Sequence, residues 1–455
     1  MKNLTLFIVL VCILSNVFLV NANDVQTNYT GEELVCPTLY MVDKDSDMVY
    51  YSKNARTRVS VASLTKIMTY IVAVENIPNY ETAKIRFSED VNKILKNSNA
   101  WTAQIQVGEE LTVLDYLKMM MVYSAGDAAI QIALYYDELQ GFQNEITTNL
   151  ANKMENSPFI KLMNDKAKEL GCNDTNFTNP SGLYHQNSYS TAEDVAKFIK
   201  YAMSLPYFNE IVALDEFVIP KTNLQNERVI NNTNALISNK VYGGQYVYEY
   251  ADGIKTGRLK EAGNCLASSA TKDGETYIIV ALGAEISYLH NNAAKDSISL
   301  YEWAFNNFIE TEVVKADDVV SKAEFFNTYF IDYVSVSSEE NVSLNLPSDF
   351  DLANFEVELV EKQDLVAPIK KGDIVGTINL KFDGKILETM NAIANANVEK
   401  FKEFKLVNIP SISSNFNVFN YVIFGIVLII FVLLCIVLFH RNSIRKIMRN
   451  RIFKK

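Results

Sequence analysis

The feature that most limits how this chain can fold lies near its C-terminus, where Tyr421 to Phe439 runs nineteen residues without a charge. At 1.5 Å rise per helical residue such a run covers the roughly 30 Å of hydrocarbon in a bilayer. Residues 418–440 are therefore expected to form a membrane-spanning helix. The segment beyond it carries Arg441, Arg445, Lys446, Arg449, Arg451, Lys454 and Lys455 and no acid, so the positive-inside bias places 441–455 in the cytoplasm. At the other end, Met1-Lys2-Asn3, an apolar run from Leu4 to Leu19 and the close Val20-Asn21-Ala22 have the order of a secretory signal. Cleavage after Ala22 is expected, followed by a short extension over 23–34. The reading is a single-pass protein of the cell membrane whose bulk is extracytoplasmic.

The chain is long enough at 455 residues for two or three domains. Its net charge of −12 hides an asymmetry: without the seven tail cations and Lys2, 34 of the 42 bases remain against 54 acids, about −20 for the external part. An anionic surface argues against nucleic acid as a partner. Only Cys36, Cys172 and Cys265 lie outside the two apolar segments, too few for a disulfide framework, so buried free thiols are expected.

Local patterns divide the external part in two. Leu39–Val42 and Met48–Tyr51 are β-rich runs around the turn formers 43–47 and predict a hairpin. From Ser63 the apolar positions 64, 67, 68, 71, 72 and 74 predict a buried helix with Ser63 at its N-terminus. Further helices are predicted over Thr112–Met121, Asp127–Tyr136, Pro158–Leu170 and Thr191–Met203, the last with Thr191 and Asp194 as a capping pair. Tyr246–Gly253, Gly263–Thr271 and Thr276–Gly283 read as strands, and Ser297–Glu310 as a closing helix. Beyond it, short alternating runs such as Phe355–Val360 and Ile374–Leu380, broken by Gly372 and Gly384, predict a small all-β domain. The expected division is a unit over 35–310, a β unit over 311–405 and a linker over 406–417.

Ser63-Leu64-Thr65-Lys66 is the candidate chemical element, because residues three apart on a helix share a face and bring an amine to a hydroxyl. The spacing alone is weak, since it recurs at Ser269 to Lys272 and at Ser443 to Lys446. Its company strengthens it. Ser124-Ala125-Gly126 comes next, between helices, and Lys255-Thr256-Gly257 comes after a strand, the order used by active-site serine enzymes of the penicillin-binding kind. Taken singly, Ser124 would be read as a helix cap and Lys255 as a solvated cation.

Longer blocks carry a resemblance. Val59-Ser-Val-Ala-Ser-Leu-Thr-Lys-Ile-Met-Thr, Gly108-Glu-Glu-Leu-Thr-Val-Leu-Asp-Tyr-Leu, Tyr123-Ser-Ala-Gly-Asp-Ala-Ala and Asp165-Lys-Ala-Lys-Glu-Leu-Gly resemble low-molecular-mass penicillin-binding proteins, the serine-type D-alanyl-D-alanine carboxypeptidases of peptidase S11. So do Phe177-Thr-Asn-Pro-Ser-Gly-Leu, Tyr189-Ser-Thr-Ala-Glu-Asp-Val-Ala, Asp252-Gly-Ile-Lys-Thr-Gly and Ala262-Gly-Asn-Cys-Leu-Ala-Ser-Ser-Ala. The likeness spans about 39–285 and, more weakly, 313–403.

The resemblance implies an α/β (α+β) penicillin-recognising serine-transferase fold, an antiparallel sheet flanked by helices, followed by a β-sandwich. It implies Ser63 as nucleophile, Lys66 as the base, Ser124 as proton relay, and Lys255, Thr256, Gly257 and Arg258 at the substrate. Lys255 and Thr256 would hold the terminal carboxylate, and the N–H groups of Ser63 and Arg258 would form the oxyanion hole. The implied substrate is the peptidoglycan stem pentapeptide, with β-lactams as covalent inhibitors and no metal or organic cofactor. One position departs: Gly126 stands where the family usually has Asn, with Asp127 in its usual place. The missing amide would cost about 1–3 kcal/mol of transition-state stabilisation. Alternatives are a D,D-endopeptidase or β-lactamase of the same superfamily, and a catalytically weakened peptidoglycan-binding or morphogenesis protein. A zinc peptidase is disfavoured because only His185 and His290 lie in the external part. His185 reads as a surface loop residue, and Tyr242, Tyr246, Tyr248 and Tyr250 read mainly as strand packing.

Overall fold

The computed structural model describes residues 29–142, 154, 156–327, 330–401 and 425–431. The secretory signal, the linker and the basic tail expected from sequence lie outside these residues. Of the expected membrane span only 425–431 is described, as helix, and among the described residues no helix is long and apolar enough to cross a membrane.

The frame of the first unit is a five-stranded antiparallel sheet in the order β2-β1-β9-β8-β7. Its strands are β1 (Thr38–Asp43), β2 (Val49–Lys53), β7 (Ala251–Leu259), β8 (Gly263–Lys272) and β9 (Glu275–Ala284). The predicted hairpins β1–β2 and β8–β9 form around their polar turns, the second pairing Lys272 with Glu275. Strands distant in sequence close the sheet, with Tyr40 opposite Val280. Two small two-stranded sheets escaped the sequence reading: β3 (Lys84–Arg86) with β4 (Glu110–Thr112), and β5 (Glu216–Ile219) with β6 (Arg228–Asn231). Strands of three or four residues are too short to show a period.

Helices cover both faces of the large sheet. One face packs against α1 (Thr65–Asn76), α3 (Val113–Val122), α4 (Gly126–Leu139), α5 (Pro158–Glu169) and α6 (Ala192–Ala202), all running through one apolar core; α2 (Glu89–Leu95) and α7 (Phe208–Val212) complete that layer. Their starts reflect local chemistry. The Thr112 hydroxyl accepts from the Asp115 N–H while the Asp115 carboxylate accepts from Thr112, a capping box. Thr191 accepts from the Asp194 N–H, and Ser157 caps α5 ahead of Pro158.

The other sheet face packs against α8 (Asn292–Asn307). Two elements on this side differ from those expected from sequence. The closing helix starts earlier and ends at Asn307, because Asn291 caps it by accepting from the Ala294 N–H and Phe308 leaves to pair as a strand. The strand expected from Tyr246 begins only at Ala251. Residues 246–250 are turns and irregular backbone, and their alternating burial imitated a strand: Tyr248 stacks on Tyr301 at 5.8 Å and Tyr250 meets Phe305 edge-on at 5.9 Å. The tyrosines thus serve packing against α8 rather than within a strand.

The second unit is all β. Strands β10 (Phe308–Val314) and β13 (Val342–Pro347) pair, and β11 (Val319–Asn327), β12 (Phe330–Ser338), β14 (Glu356–Glu361), β15 (Ile374–Phe382) and β16 (Lys385–Ala394) form a sheet in the order β11-β12-β16-β15-β14. Its core is continuous with the far face of the first unit, joining Tyr50, Tyr277 and Trp303 to Val336, Leu346 and Ile378. Phe308 packs on Tyr50 at 4.5 Å and on Trp303 at 4.8 Å, and the Tyr50 hydroxyl donates to the Asn345 carbonyl. Large aromatic burial makes this junction a firm contact.

Candidate active site

Ser63 sits on a short 3-10 turn, Ala62–Leu64, that runs directly into α1. One helical turn on, the Lys66 Nζ donates to the Ser63 Oγ at 2.8 Å and to the Ser181 carbonyl at 2.6 Å. Lys66 is 2 % exposed. Burial lowers its amine to about 7, with the Asp127 carboxylate acting in the opposite sense. Desolvation disfavours the charged form, so a buried lysine becomes a base near neutral pH.

The Ser181 carbonyl is a partner that the sequence reading passed over, although the run Asn179-Pro-Ser-Gly belongs to one of the blocks that carry the family resemblance. Asn179 folds this turn: its Oδ1 accepts from the N–H groups of Ser181, Gly182 and Leu183. Thr69, one turn beyond Lys66, donates to the Pro180 carbonyl at 2.6 Å. The turn then presses on the nucleophile. A Cβ at Gly182 would lie 2.0 Å from the Ala62 carbonyl oxygen, so only glycine allows the approach. Nearby, His185 corrects the reading as a surface residue: it is 9 % exposed, with Nδ1 accepting from the Asn187 N–H.

Ser124 lies between α3 and α4 at a φ of 60°, and Ala125 precedes the first residue of α4, Gly126. Gly126 donates to the Trp101 carbonyl at 2.7 Å, and a Cβ there would stand 3.3 Å from that oxygen and 3.4 Å from the Ala100 Cβ. The absence of a side chain at this position lets the segment around Trp101 settle on the start of the helix. Asp127 holds the same segment, both carboxylate oxygens accepting from the Ala103 N–H. Burial raises its carboxyl, while the N–H groups of Ala103 and Ala128 pull the other way.

Lys255, Thr256 and Gly257 lie on β7, the edge strand beside the nucleophile turn. A Cβ at Gly257 would come 2.9 Å from the Val61 carbonyl oxygen, so this strand too reaches the turn at backbone distance. Lys255 is 1 % exposed, and its Nζ donates to the Thr256 carbonyl at 3.0 Å. Burial, and then the Lys66 cation, holds its amine well below the ordinary lysine value. The Thr256 and Thr233 hydroxyls lie 2.6 Å apart, and the Thr233 N–H donates to the Val122 carbonyl two residues before Ser124. Thr233 carried no motif, so no local signal announced it.

Strain marks all three elements. Ala62 (φ 47°), Ser124 and Ile254 (φ 93°) occupy the left-handed half of backbone space, which costs a residue with a Cβ about 1–3 kcal/mol. Each is in, or immediately beside, one of the three motifs. By contrast, the other two Ser-x-x-Lys matches lack such a setting: Ser269 is on β8, where its hydroxyl donates to Asp252, and Ser443 lies outside the described residues.

A buried amine on a serine, a second buried amine on the strand that reaches the same turn, and a strained serine at the start of α4 suit acyl transfer. The family model described as D-alanyl-D-alanine carboxypeptidase, peptidase S11, matches residues 25–286. The chain belongs to that family. A second model, described as the C-terminal domain of penicillin-binding protein 5, matches residues 308–400, the β unit. Among curated relatives, the D-alanyl-D-alanine carboxypeptidase DacF of Bacillus subtilis is 29 % identical over 79 % of this chain and 85 % of its own. DacC of Escherichia coli is 30 % identical over 79 % of this chain and 83 % of its own. Among solved structures, the Streptomyces K15 DD-transpeptidase is 28 % identical with a TM-score of 0.52, covering 61 % of this chain and 99 % of that one. A peptidoglycan synthesis regulatory factor from Streptococcus pneumoniae shares the fold at a TM-score of 0.59 and 20 % identity, over 81 % of this chain and 100 % of that one. The peptidase S11 match thus takes in the large sheet and the helices on one of its faces and stops short of α8, and the second match takes in the β unit.

Proposed function

We propose that this member of peptidase S11 is a serine D-alanyl-D-alanine carboxypeptidase that removes the terminal D-alanine from peptidoglycan pentapeptide stems and is acylated by β-lactams. The observation that carries the reading is the Lys66 Nζ 2.8 Å from the Ser63 Oγ, with burial lowering the amine to about 7. A neutral amine at that distance accepts the hydroxyl proton as the Ser63 oxygen bonds to the carbonyl carbon of the penultimate D-alanine. The C–N bond then breaks, and the proton passes by way of Ser124 to the departing amine. Water attacks the resulting ester in turn and frees Ser63. The N–H groups of Ser63 and Arg258 are assigned to the developing oxyanion, and Thr256 borders the carboxylate subsite.

Gly126 favours the weakened-binder alternative only in part. The Ser181 carbonyl supplies Lys66 with an acceptor, which covers half of what a side-chain amide would do; the donor toward substrate is still missing. Reduced but real turnover is therefore expected. The test is acylation by a labelled penicillin with the adduct located by mass spectrometry, together with D-alanine release from a pentapeptide. An adduct on Ser63 and release of D-alanine support the reading; neither event from the folded protein overturns it.

The proposed setting is the outer face of the cell membrane, held by one C-terminal helix with the tail inside, on the strength of the uncharged run over 421–439 and the cations after it. Protease added to intact cells should remove the catalytic unit and spare an epitope at the C-terminus.

A further inference from the structure

A carboxypeptidase site needs an accessible cation, and the lysine assigned to that duty is buried. A carboxypeptidase distinguishes a chain end by its free carboxylate, which calls for an accessible positive donor. Lys255 is sealed and spends an N–H on the neighbouring Thr256 carbonyl. Its burial next to Lys66 disfavours the charged form, so it is poorly placed to be the cation that an anion needs.

Three residues on, Arg258 stands on the same edge strand and is exposed. Side chains two apart along a strand share a face, so Arg258 and the Thr256 hydroxyl point to one side, their Cα atoms about 7 Å apart. Arginine stays charged at any physiological pH and offers a planar fork that fits a carboxylate through two parallel bonds. Among the described residues no carboxylate pairs with the Arg258 guanidinium; it lies instead over the ring of Tyr288, 4.6 Å from the centroid.

Tyr288 is itself unusual. It is 87 % exposed, in the loop between β9 and α8, where an aromatic ring gains nothing from burial. The loop is nonetheless held, since the Tyr242 hydroxyl donates to the Ser287 carbonyl at 2.9 Å and the Asn291 N–H donates to the Tyr246 hydroxyl at 3.0 Å. A ring carried on a tethered loop beneath the guanidinium orients the fork and lowers the entropy lost on binding. At Thr256, the Thr233 hydroxyl 2.6 Å away can donate into the threonine oxygen and leave the Thr256 proton for a ligand.

We propose that the Arg258 side chain, positioned by Tyr288, is the cation that grips the terminal carboxylate of the substrate, with the Thr256 hydroxyl as its companion donor. The proposal rests on the carboxypeptidase reading and assigns its carboxylate subsite. Arg258 is then a binding residue and Tyr288 a positioning residue. The carboxylate of a penicillin, the same chemical group, takes the same place during acylation.

The experiment measures binding of N,N′-diacetyl-L-lysyl-D-alanyl-D-alanine and of its C-terminal amide by calorimetry to full-length protein carrying Ser63→Ala, so that the readout does not depend on turnover. Adding Arg258→Gln should weaken the free acid tenfold or more and the amide less than threefold. Tyr288→Ala should weaken the acid about threefold to tenfold and Tyr288→Phe should restore it, which a merely structural role for the loop would not require. Lys260→Gln, which removes another exposed cation just beyond the strand, should change neither ligand more than twofold. Equal losses on acid and amide, or no loss with Arg258→Gln, would overturn the assignment. Turnover by protein with an intact Ser63, measured separately, divides the two claims: D-alanine release without Arg258-dependent binding sinks the clamp alone. Arg258-dependent binding without release or acylation sinks the carboxypeptidase reading alone.

Discussion

The two units of this protein handle backbone strain and buried charge in opposite ways. In the β unit the described non-glycine residues in left-handed conformation are Asp317, Asp364 and Asp383, a residue type whose short polar side chain tolerates that region at turns. Its buried polar residues are uncharged, Asn327, Ser337, Ser338 and Asn379 among those described. The catalytic unit instead places an alanine, a serine and an isoleucine in left-handed conformation beside its motifs and seals two lysines within. Strain and desolvated charge are costs that a fold carries only where neighbouring structure overdetermines them. Strain and sealed amines gathered at three motifs mark the first unit as the one that does chemistry.

The largest effect that could break this contrast is on acylation. Ser63→Ala or Lys66→Ala should lower penicillin acylation by about a thousandfold or more, measured as the second-order rate. Ile378→Ala, in the core of the β unit, should cost about 2–5 kcal/mol of stability by thermal unfolding yet leave acylation per folded molecule within about twofold. A large loss of acylation with Ile378→Ala would show that the β unit shapes the site through the shared core.

Glycine replacements sharpen the same contrast. Gly182→Ala puts a Cβ 2.0 Å from the Ala62 carbonyl oxygen, so the nucleophile turn must move, and acylation should fall about a hundredfold, or ~2.7 kcal/mol. Gly384→Ala, at a φ of 73° with nothing within 4 Å, should cost about 1–2 kcal/mol through backbone conformation alone and leave acylation intact. Comparable acylation by both variants would remove the argument for close approach.

Next in size is pH. With Lys66 lowered to about 7, the free base predominates above that value and the rate of acylation should fall about tenfold per pH unit below it. Because the same amine titrates near its ordinary ~10.4 when unfolded, the unfolded chain binds more protons between pH 7 and 10, and this group makes stability rise with pH across that window. An acylation rate flat from pH 5 to 8 would mean that the base is another group. The smallest effect expected is at Gly126→Asn, where the new Cβ stands 3.3 Å from the Trp101 carbonyl. Acylation should change by less than about tenfold, a clash of ~1 kcal/mol opposing the gain of an amide. A hundredfold gain in rate would show that the missing amide, rather than packing at Trp101, limits this enzyme.

Much of the molecule was legible from residues close together in the chain. Helix starts at Thr112, Ser157 and Thr191 are set by side chains bonding N–H groups two or three positions on. The Ser63 to Lys66 contact is one helical turn, and the hairpin over 272–275 is a tight turn. The misreadings came where distant partners decide. Tyr246–Tyr250 shows the period of a strand, but its register answers to rings on α8 rather than to a strand neighbour. His185 sits in a loop that packs inward, and the short strands β3 to β6 form because their partners are held nearby by other elements.

The order of the three motifs and the kind of chemistry they can perform were written in the chain alone, since bonding geometry within a helix turn or a strand depends on residues a few positions apart. Only the tertiary structure decided that Lys66 is dry enough to be a base, that the Ser181 carbonyl 115 positions away is its second acceptor, and that Lys255 turns inward while Arg258 faces solvent. Desolvation is a property of everything that surrounds a group, and no local pattern records what the rest of the chain will bring to it.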